Sequence, residues 1–291
     1  MATAYHITPS VLQSLSEQSR ECIERLAVHE PERVDLSVNK SRQRTFRSDR
    51  PTARLAAVLV LLYERAGKLR VLLTTRSKLL RTHPGQTALP GGKVDETDVD
   101  VTQTAYREAY EEVALPLKCP DMHTVTVMRP YLSSSKLLVT PVVALLTDIS
   151  VLDDLKASES EVSRIFEHPL EAILEPGLTN DEPLVEKGSE DWPYEQDFHC
   201  TSDIFLGWLG NSTYRMHRFR SSASPVKGLT SDILIAAAEI AYDRQPSYER
   251  YAPGQLRSFA PILRILELDE TAQPATSGTS TPRIEVGVAA S

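Results

Sequence analysis

The sequence is poor in cysteine and lacks long apolar runs. Its three cysteines, Cys22, Cys119 and Cys200, stand far apart, and none has a CxxC or Cys/His spacing. We therefore expect reduced, structural thiols rather than a disulfide framework or a zinc site. No apolar run approaches the ~20 residues that a membrane span needs. The first residues, MATAYHITPS, lack the apolar segment of a secretory signal. Together these absences predict an intracellular protein without a membrane span.

A basic excess is also absent. The chain of 291 residues carries 32 Lys and Arg against 40 Asp and Glu, a net charge of -8. This balance argues against a nucleic-acid partner. Phosphate groups can still bind to an acidic protein when metal ions and a few local cations neutralise them. The hydrophobic content of 41% is enough for a core of useful size. Oligomeric state is not indicated.

The organisation follows from shifts in composition along the chain. Within the N-terminal part, an apolar helical pattern covers 9–28 and a basic, polar stretch covers 37–52. The predicted regions are a helical extension and linker (1–52), a folded domain (53–268) with an insertion (175–213), and a disordered tail (269–291).

Hydrophobic periodicity predicts strands alternating with helices. The predicted strands are 54–63, 69–75, 123–131, 137–147, 160–167 and 213–220. The predicted helices are 101–114, a short 168–174 with Pro169 in its first turn, 229–243 and 255–267. The first two strands are separated by a turn at 64–67 and are predicted to form a hairpin. This mixture indicates an α/β or α+β sandwich.

The helix predicted over 101–114 is crowded with carboxylates. Asp100 is a good N-cap, with Gln103 placed as a capping box requires. Glu108 and Glu112 lie four residues apart and share one face, and Glu111 borders it. Mg²⁺ prefers such oxygen ligands, together with phosphates. Taken alone, the pattern also fits a solvated acidic face.

A glycine turn precedes this helix and adds weight to the metal-site interpretation. In Pro90-Gly91-Gly92-Lys93, two glycines allow the backbone to approach a ligand closely. An acidic loop containing Glu96, Asp98 and Asp100 connects the turn to the helix.

Turn, loop and helix together resemble the signature of the Nudix family. The matching residues are Gly92, Arg107, Glu108, Ala109, Glu111, Glu112 and Leu115. The resemblance implies a Nudix α/β/α sandwich with a mixed sheet, and Mg²⁺ or Mn²⁺ bound by Glu108 and Glu112. It makes Glu111 a further ligand or a base for water, and Arg107 a support for the catalytic carboxylates.

The chain departs from the family signature in two places. The acidic loop is one residue longer, so the first acidic position is open among Glu96, Asp98 and Asp100. Ala114 stands where glycine is usual. We expect little effect from this second departure, because alanine is small and compatible with a helix.

A second segment, 72–92, resembles the coenzyme A diphosphatase branch of the family. It reads LLTTRSKLLRTHPGQTALPGG, with Leu89 in place of the usual phenylalanine. The resemblance implies substrate contacts by Arg76, Arg81, Gly91 and Gly92. Arginine suits phosphates because its planar fork binds them at two points; solvent-exposed loop charge is the alternative for either arginine, and His83 is a weaker candidate. Lys227 replaces a tryptophan that the branch has before its last helix.

The implied reaction is metal-dependent hydrolysis of coenzyme A or acyl-CoA to 3′,5′-ADP and 4′-phosphopantetheine. Two alternatives stay open: hydrolysis of oxidised nucleotides or other nucleoside diphosphate derivatives, and an inactive Nudix module that only binds. The branch also implies a peroxisomal or cytoplasmic location, although the terminal residues Val-Ala-Ala-Ser do not form a peroxisomal signal.

Overall fold

The computed structural model describes residues 7–31, 55–258 and 260–262. The predicted linker over 37–52 and the predicted tail over 269–291 lie outside the described residues. Residues 259 and 263–267 of the helix predicted over 255–267 lie outside them as well. Of that helix, residues 255–258 are not helical, whereas 260–262 are.

Besides the helical residues 260–262, four α-helices and eleven strands follow one another along the described chain. The helices are α1 (Pro9–Leu12), α2 (Glu17–Val28), α3 (Val101–Val113) and α4 (Gly228–Tyr242). The strands are β1 (Leu55–Arg65), β2 (Lys68–Arg76), β3 (Thr87–Ala88), β4 (Gly91–Lys93), β5 (Met122–Val127), β6 (Tyr131–Leu132), β7 (Leu138–Leu146), β8 (Val162–Pro169), β9 (His199–Leu206), β10 (Ser212–Phe219) and β11 (Val226–Lys227). In the described residues, no helix is long and apolar enough to cross a membrane.

The larger sheet is mixed and centred on β1. Its main order is β3-β2-β1-β7-β5, and β4, β6 and β8 pair with β1, β7 and β2 respectively. β1 runs antiparallel to β2, which confirms the predicted hairpin, and parallel to β7. Antiparallel and parallel neighbours on one strand make the sheet mixed, as expected.

Helices cover both faces of this sheet. Side chains alternate along β1, so Leu59, Leu61 and Tyr63 pack in the core that contains α3. Val60 and Leu62 point the other way, into the core formed with α2 and α4. The predicted α/β/α sandwich is confirmed, and its α3 layer positions the acidic residues.

Two predicted elements differ from the structure. The single helix over 9–28 is divided, because the Ser16 hydroxyl accepts a hydrogen bond from the backbone of Ser19 and caps α2 as a separate helix. The prediction of Pro169 within a helix is wrong: it is the last residue of β8, opposite Arg70. A proline is tolerated at the end of an edge strand, and only a short 3₁₀ turn, Glu171–Ile173, follows.

A smaller sheet contains a strand that the sequence patterns did not predict. β9 pairs with β10 over its whole length, and β11 pairs with β10. β9 lies inside the segment expected to be an insertion. Earlier in the same segment, Glu182 accepts two hydrogen bonds from Arg70, at 2.9 and 2.6 Å, which ties it to β2.

The described structure places the three cysteines apart from one another. Cys22 and Cys200 are buried, Cys119 is partly exposed, and all three are free thiols. Burial raises the pKa of Cys22 to about 11, which opposes thiolate formation. These environments agree with structural thiols.

Candidate active site

The glycine turn forms a short strand that lies directly against β1. Gly91 is opposite Val58 and Gly92 is opposite Ala57. At Gly91 the backbone has φ of 157°, and a Cβ there would lie 2.4 Å from the carbonyl oxygen of Ala57. No larger side chain fits at this position. The pairing fixes the Gly-Gly backbone at the edge of the acidic helix.

Gly92 brings the backbone against Glu108. A Cβ on Gly92 would lie 2.5 Å from the carboxyl carbon and from both carboxyl oxygens of Glu108. Only a residue without a side chain allows this approach. The local sequence therefore builds a niche in which a carboxylate of α3 faces the backbone of β4.

Capping determines where α3 begins. Asp100 accepts a hydrogen bond from the backbone N–H of Gln103 at 2.9 Å, as predicted. The Gln103 side chain accepts from the N–H of Val99 at 2.8 Å, one residue before the cap. These bonds fix where α3 begins, and the burial of Ala105, Ala109 and Val113 fixes the face that packs on the sheet.

The end of α3 corrects one expectation. Ala114 lies just beyond the helix, with φ of 58°, in the left-handed region. We expected little effect from alanine because it is compatible with a helix, but Ala114 is not inside the helix. In the left-handed conformation that it adopts, a Cβ costs roughly 1–2 kcal/mol. The alanine that stands where the family has glycine carries strain.

The three glutamates of α3 have different surroundings. Glu112 is 4% exposed, and its Oε2 accepts a hydrogen bond from the N–H of Gly91 at 3.2 Å. Burial raises its pKa to about 8, and burial also raises the pKa of Glu108. Glu111, in contrast, has a side chain that is 51% exposed. Glu108 and Glu112 thus form the inner pair and Glu111 the outer member.

Arg107 connects the acidic loop to the helix. Its Nε and Nη2 donate to the two carboxylate oxygens of Asp98, at 3.0 and 2.9 Å. Nη1 donates to Glu108 at 3.0 Å and to Glu111 at 3.1 Å. Among the three acidic candidates of the loop, Asp98 is therefore the partner of Arg107. The hydrogen bonds from Arg107 lower the pKa of Asp98 to about 2.

The inner pair can contribute to a metal site without completing one. Among the described residues, no group of three or more His, Cys, Asp or Glu side chains is arranged to hold a metal ion. Mg²⁺, however, usually keeps several waters and binds through one or two carboxylates plus substrate phosphates. Two partly desolvated carboxylates beside the Gly91–Gly92 backbone fit that donor set.

One carboxylate near the inner pair was missed by the sequence interpretation. Glu161 lies just before β8, and its charge contributes to raising the pKa of both Glu108 and Glu112. Its carbonyl accepts from the N–H of Ser77 at 2.8 Å, which attaches this turn to the end of β2. Glu161 is far from α3 in the sequence, so no local pattern indicated that it lies near Glu108 and Glu112.

The basic loop divides between cavity and solvent. Arg76 lies with its Nη1 4.0 Å from Glu112 Oε1 and lines a cavity, as does the exposed His83. Arg81 is exposed, and among the described residues it is not part of the cavity wall. Of the two predicted substrate-binding arginines, the structure therefore brings only Arg76 to the acidic helix.

This cavity, of about 830 Å³, extends from β4 to the smaller sheet and the start of α4. Its wall includes Gly91 and Gly92 and, among the residues that the structure describes, only one acidic residue, Asp232. Six basic side chains line it: Arg76, Lys93, Arg129, Lys227, Arg250 and Arg257. Although the chain as a whole is acidic, the excess of basic side chains in this wall favours the binding of anions.

The cavity also has an apolar wall. Ile204 and Leu206 of β9, with Trp208 in the following turn, line the cavity, whereas Phe205 between them is 66% exposed. Met216 of β10 extends the same wall. The cavity can therefore hold a molecule with both anionic and apolar parts.

Comparisons with known proteins show which family the chain resembles. The model of the NUDIX domain matches residues 53–187. Mitochondrial Nudix hydrolase 15 of Arabidopsis thaliana is 34% identical over 206 residues, 70% of this chain and 65% of that protein. NudL, an uncharacterized Nudix hydrolase of Escherichia coli O1:K1 / APEC, is 41% identical over 151 residues, 50% of this chain and 74% of that protein.

Among solved structures, the Ap4A hydrolase binary complex of C. elegans has 25% sequence identity and a TM-score of 0.34, covering 41% of this chain and 83% of that chain. This chain covers 65% of Nudix hydrolase 15 and 59% of the chloroplastic Nudix hydrolase 22 of Arabidopsis thaliana, less than two thirds of either plant relative. It covers 74% of NudL at 41% identity. With the family model matching the segment that contains β4 and α3, the chain belongs to the Nudix family.

Proposed function

We propose that the protein is a diphosphatase that needs Mg²⁺ or Mn²⁺ and hydrolyses coenzyme A or acyl-CoA to 3′,5′-ADP and 4′-phosphopantetheine. Glu108 and Glu112 would hold the metal, with Glu111 as a further ligand or a base. Bound there, the metal neutralises phosphate oxygens and lowers the pKa of a water. The Gly91–Gly92 backbone offers a surface that a diphosphate can approach closely.

The residues around the inner pair would orient the reacting groups. Arg107 contacts Asp98, Glu108 and Glu111 and does not line the cavity, so its role is to position carboxylates. Glu111 is exposed enough to orient a water molecule or to accept a proton from it. Arg76, beside Glu112 and in the cavity wall, would bind a diphosphate oxygen.

One observation carries the choice of substrate. The segment 72–92 that resembles the coenzyme A branch supplies both Arg76 and Gly91, which lie beside Glu112 in the wall of a basic cavity. The cavity also has an apolar wall, which suits the pantetheine or acyl part of such a substrate. Nucleoside diphosphate derivatives without an apolar arm are the alternative, and they would leave that wall without a contact.

A substrate panel tests the proposal. Purified protein with Mg²⁺ or Mn²⁺ should release phosphopantetheine from coenzyme A with a higher kcat/KM than it cleaves oxidised nucleotides or ADP-ribose. Cleavage of nucleotides alone would favour the alternative. Glu112→Gln should abolish turnover; an unchanged rate would remove the metal assignment, and an inactive wild-type protein would indicate a binding module.

The compartment is a separate question. The names of the two plant relatives place those proteins in mitochondria and chloroplasts. They do not support the peroxisomal location that the resemblance implied.

A further inference from the structure

One end of the cavity is built from residues that the proposed reaction does not use. We call it the Tyr131 end; it consists of Arg129, Tyr131, Asp232, Tyr251 and Arg257, all of which line the cavity. The charges of Arg129 and Asp232 both act on the Tyr131 hydroxyl, which shows that these groups lie close together. None of them belongs to β4 or α3, where the diphosphate would be cleaved.

The Tyr131 hydroxyl lacks a partner. It is fully buried, and no described residue makes a hydrogen bond with it. A buried polar group without a partner costs free energy, so such groups are rare in native proteins. A ligand oxygen that enters from the cavity would satisfy this hydroxyl.

Neither of the two arginines at this end is within ion-pair distance of a carboxylate among the described residues. Arg129 lies with its guanidinium carbon 4.6 Å from the centroid of the Tyr131 ring, and Arg257 lies 5.0 Å from that of Tyr251. Among the described residues, neither forms an ion pair or a side-chain hydrogen bond. The aromatic faces hold the guanidinium groups in place, while their N–H donors are left for a ligand.

The other charges in and beside this end are already compensated. Arg250 is paired with Glu239. Asp232 accepts a hydrogen bond from the Tyr214 hydroxyl at 2.9 Å. Burial raises the pKa of Asp232 to about 7, so its repulsion of an anion is reduced near neutral pH. Two uncompensated guanidinium groups and one donor hydroxyl remain.

We propose that the Tyr131 end binds a phosphate monoester of the substrate, separate from the diphosphate that is cleaved beside Glu108 and Glu112. The inference rests on the proposed function, since coenzyme A carries such a group on its ribose. Phosphate offers three acceptor oxygens and close to two negative charges. Arg129 and Arg257 donate to it, and the Tyr131 hydroxyl donates to one of its oxygens. This end would distinguish phosphorylated from unphosphorylated nucleotide portions.

Two substrates that differ only in this phosphate provide the test. Steady-state kinetics with coenzyme A and with 3′-dephospho-coenzyme A should show a lower KM for coenzyme A in the wild-type protein. Arg129→Gln and Arg257→Gln should each raise the KM for coenzyme A about tenfold, with kcat nearly unchanged. The KM for the dephosphorylated substrate should stay the same. Tyr131→Phe should give a smaller change of the same kind.

Arg20→Gln, which removes an arginine from α2 outside the cavity wall, is the matched control and should change neither KM. Equal effects of Arg129→Gln on both substrates, or no effect, would overturn the proposal. If neither substrate is cleaved, the proposed function fails, and calorimetry then tests the site alone. Tighter binding of 3′,5′-ADP than of 5′-AMP, lost in Arg129→Gln, would support the phosphate site; equal binding of the two would overturn it.

Discussion

Arg107 and Asp98 form a two-point ion pair that joins the acidic loop to the helix carrying the glutamates. The two hydrogen bonds measure 3.0 and 2.9 Å, and the Asp98 side chain is fully buried. Asp98 also accepts from the N–H of Asp95 and the hydroxyl of Thr104. The loop is therefore closed onto Arg107, which in turn contacts Glu108.

Removing this carboxylate should loosen the site. We expect Asp98→Ala to lower the free energy of unfolding by about 1–3 kcal/mol, because Arg107 loses a charged hydrogen-bond partner. Activity should fall as well, since Arg107 would no longer hold Glu108 and Glu111. Urea denaturation and initial rates measure the two effects. Glu96→Gln, at an exposed position of the same loop, is the control; if it were equally damaging, the assignment of Asp98 would be wrong.

Gly92 should tolerate no side chain. A Cβ at 2.5 Å from the Glu108 carboxylate must displace either β4 or that carboxylate. We expect Gly92→Ala to reduce kcat by about tenfold or more, since small displacements of reacting groups have such effects. Gly177→Ala, where the nearest atom would be 3.9 Å away, is the control for glycine replacement. Full activity of Gly92→Ala would show that Glu108 need not face the backbone of β4.

The parts of the site that could be predicted are those encoded locally. α3 was predicted because Asp100 caps it and its apolar residues recur at helical spacing. The partner of Arg107 could not be chosen, because that choice depends on how the loop around Asp95 turns. β9 was missed since Ile204 and Leu206 face a cavity rather than a core, and Phe205 between them is exposed. The Tyr131 end joins elements far apart in sequence, and no local pattern signals it.

Ala114 offers a stabilising substitution. Its φ of 58° favours glycine, the usual residue at the end of such a helix. We expect Ala114→Gly to raise the free energy of unfolding by about 0.5–1 kcal/mol, the relief of strain being partly offset by a more flexible unfolded chain. Thermal denaturation measures this. Ala109→Gly, inside α3, should have the opposite sign. A loss of stability in Ala114→Gly would contradict the left-handed conformation.

The apolar wall should affect substrate affinity rather than chemistry. Leu206→Asp places a charge in the cavity, and we expect a higher KM for acyl-CoA, by about tenfold, with a smaller change for free coenzyme A. Its neighbour Phe205 points outward and is 66% exposed. Phe205→Asp therefore controls for an added charge on β9 and should leave both KM values unchanged. Matching effects of the two substitutions would indicate a structural role for the hairpin instead.

His168 should make the fold sensitive to acid. Its side chain is buried, its Nε2 has no partner among the described residues, and burial lowers its pKa from 6.5 to about 4. Above pH 7 the ring is neutral in both states and contributes no pH dependence. As pH falls from 6.5 towards 4, the unfolded chain gains a proton that the folded chain resists, and stability is lost, by up to about 3 kcal/mol.

His168→Leu should therefore make the loss of stability between pH 6.5 and 4 shallower, as measured by urea denaturation at several pH values. It should not make the curve flat, because burial also lowers the pKa of His199 to about 4. The difference in stability between variant and wild type should be constant above pH 7, where the His168 ring is neutral in both the folded and the unfolded wild-type protein. A difference that grows with pH in that upper range would show that His168 stays protonated in the folded protein, and an unchanged acid slope would show that folding does not lower its pKa.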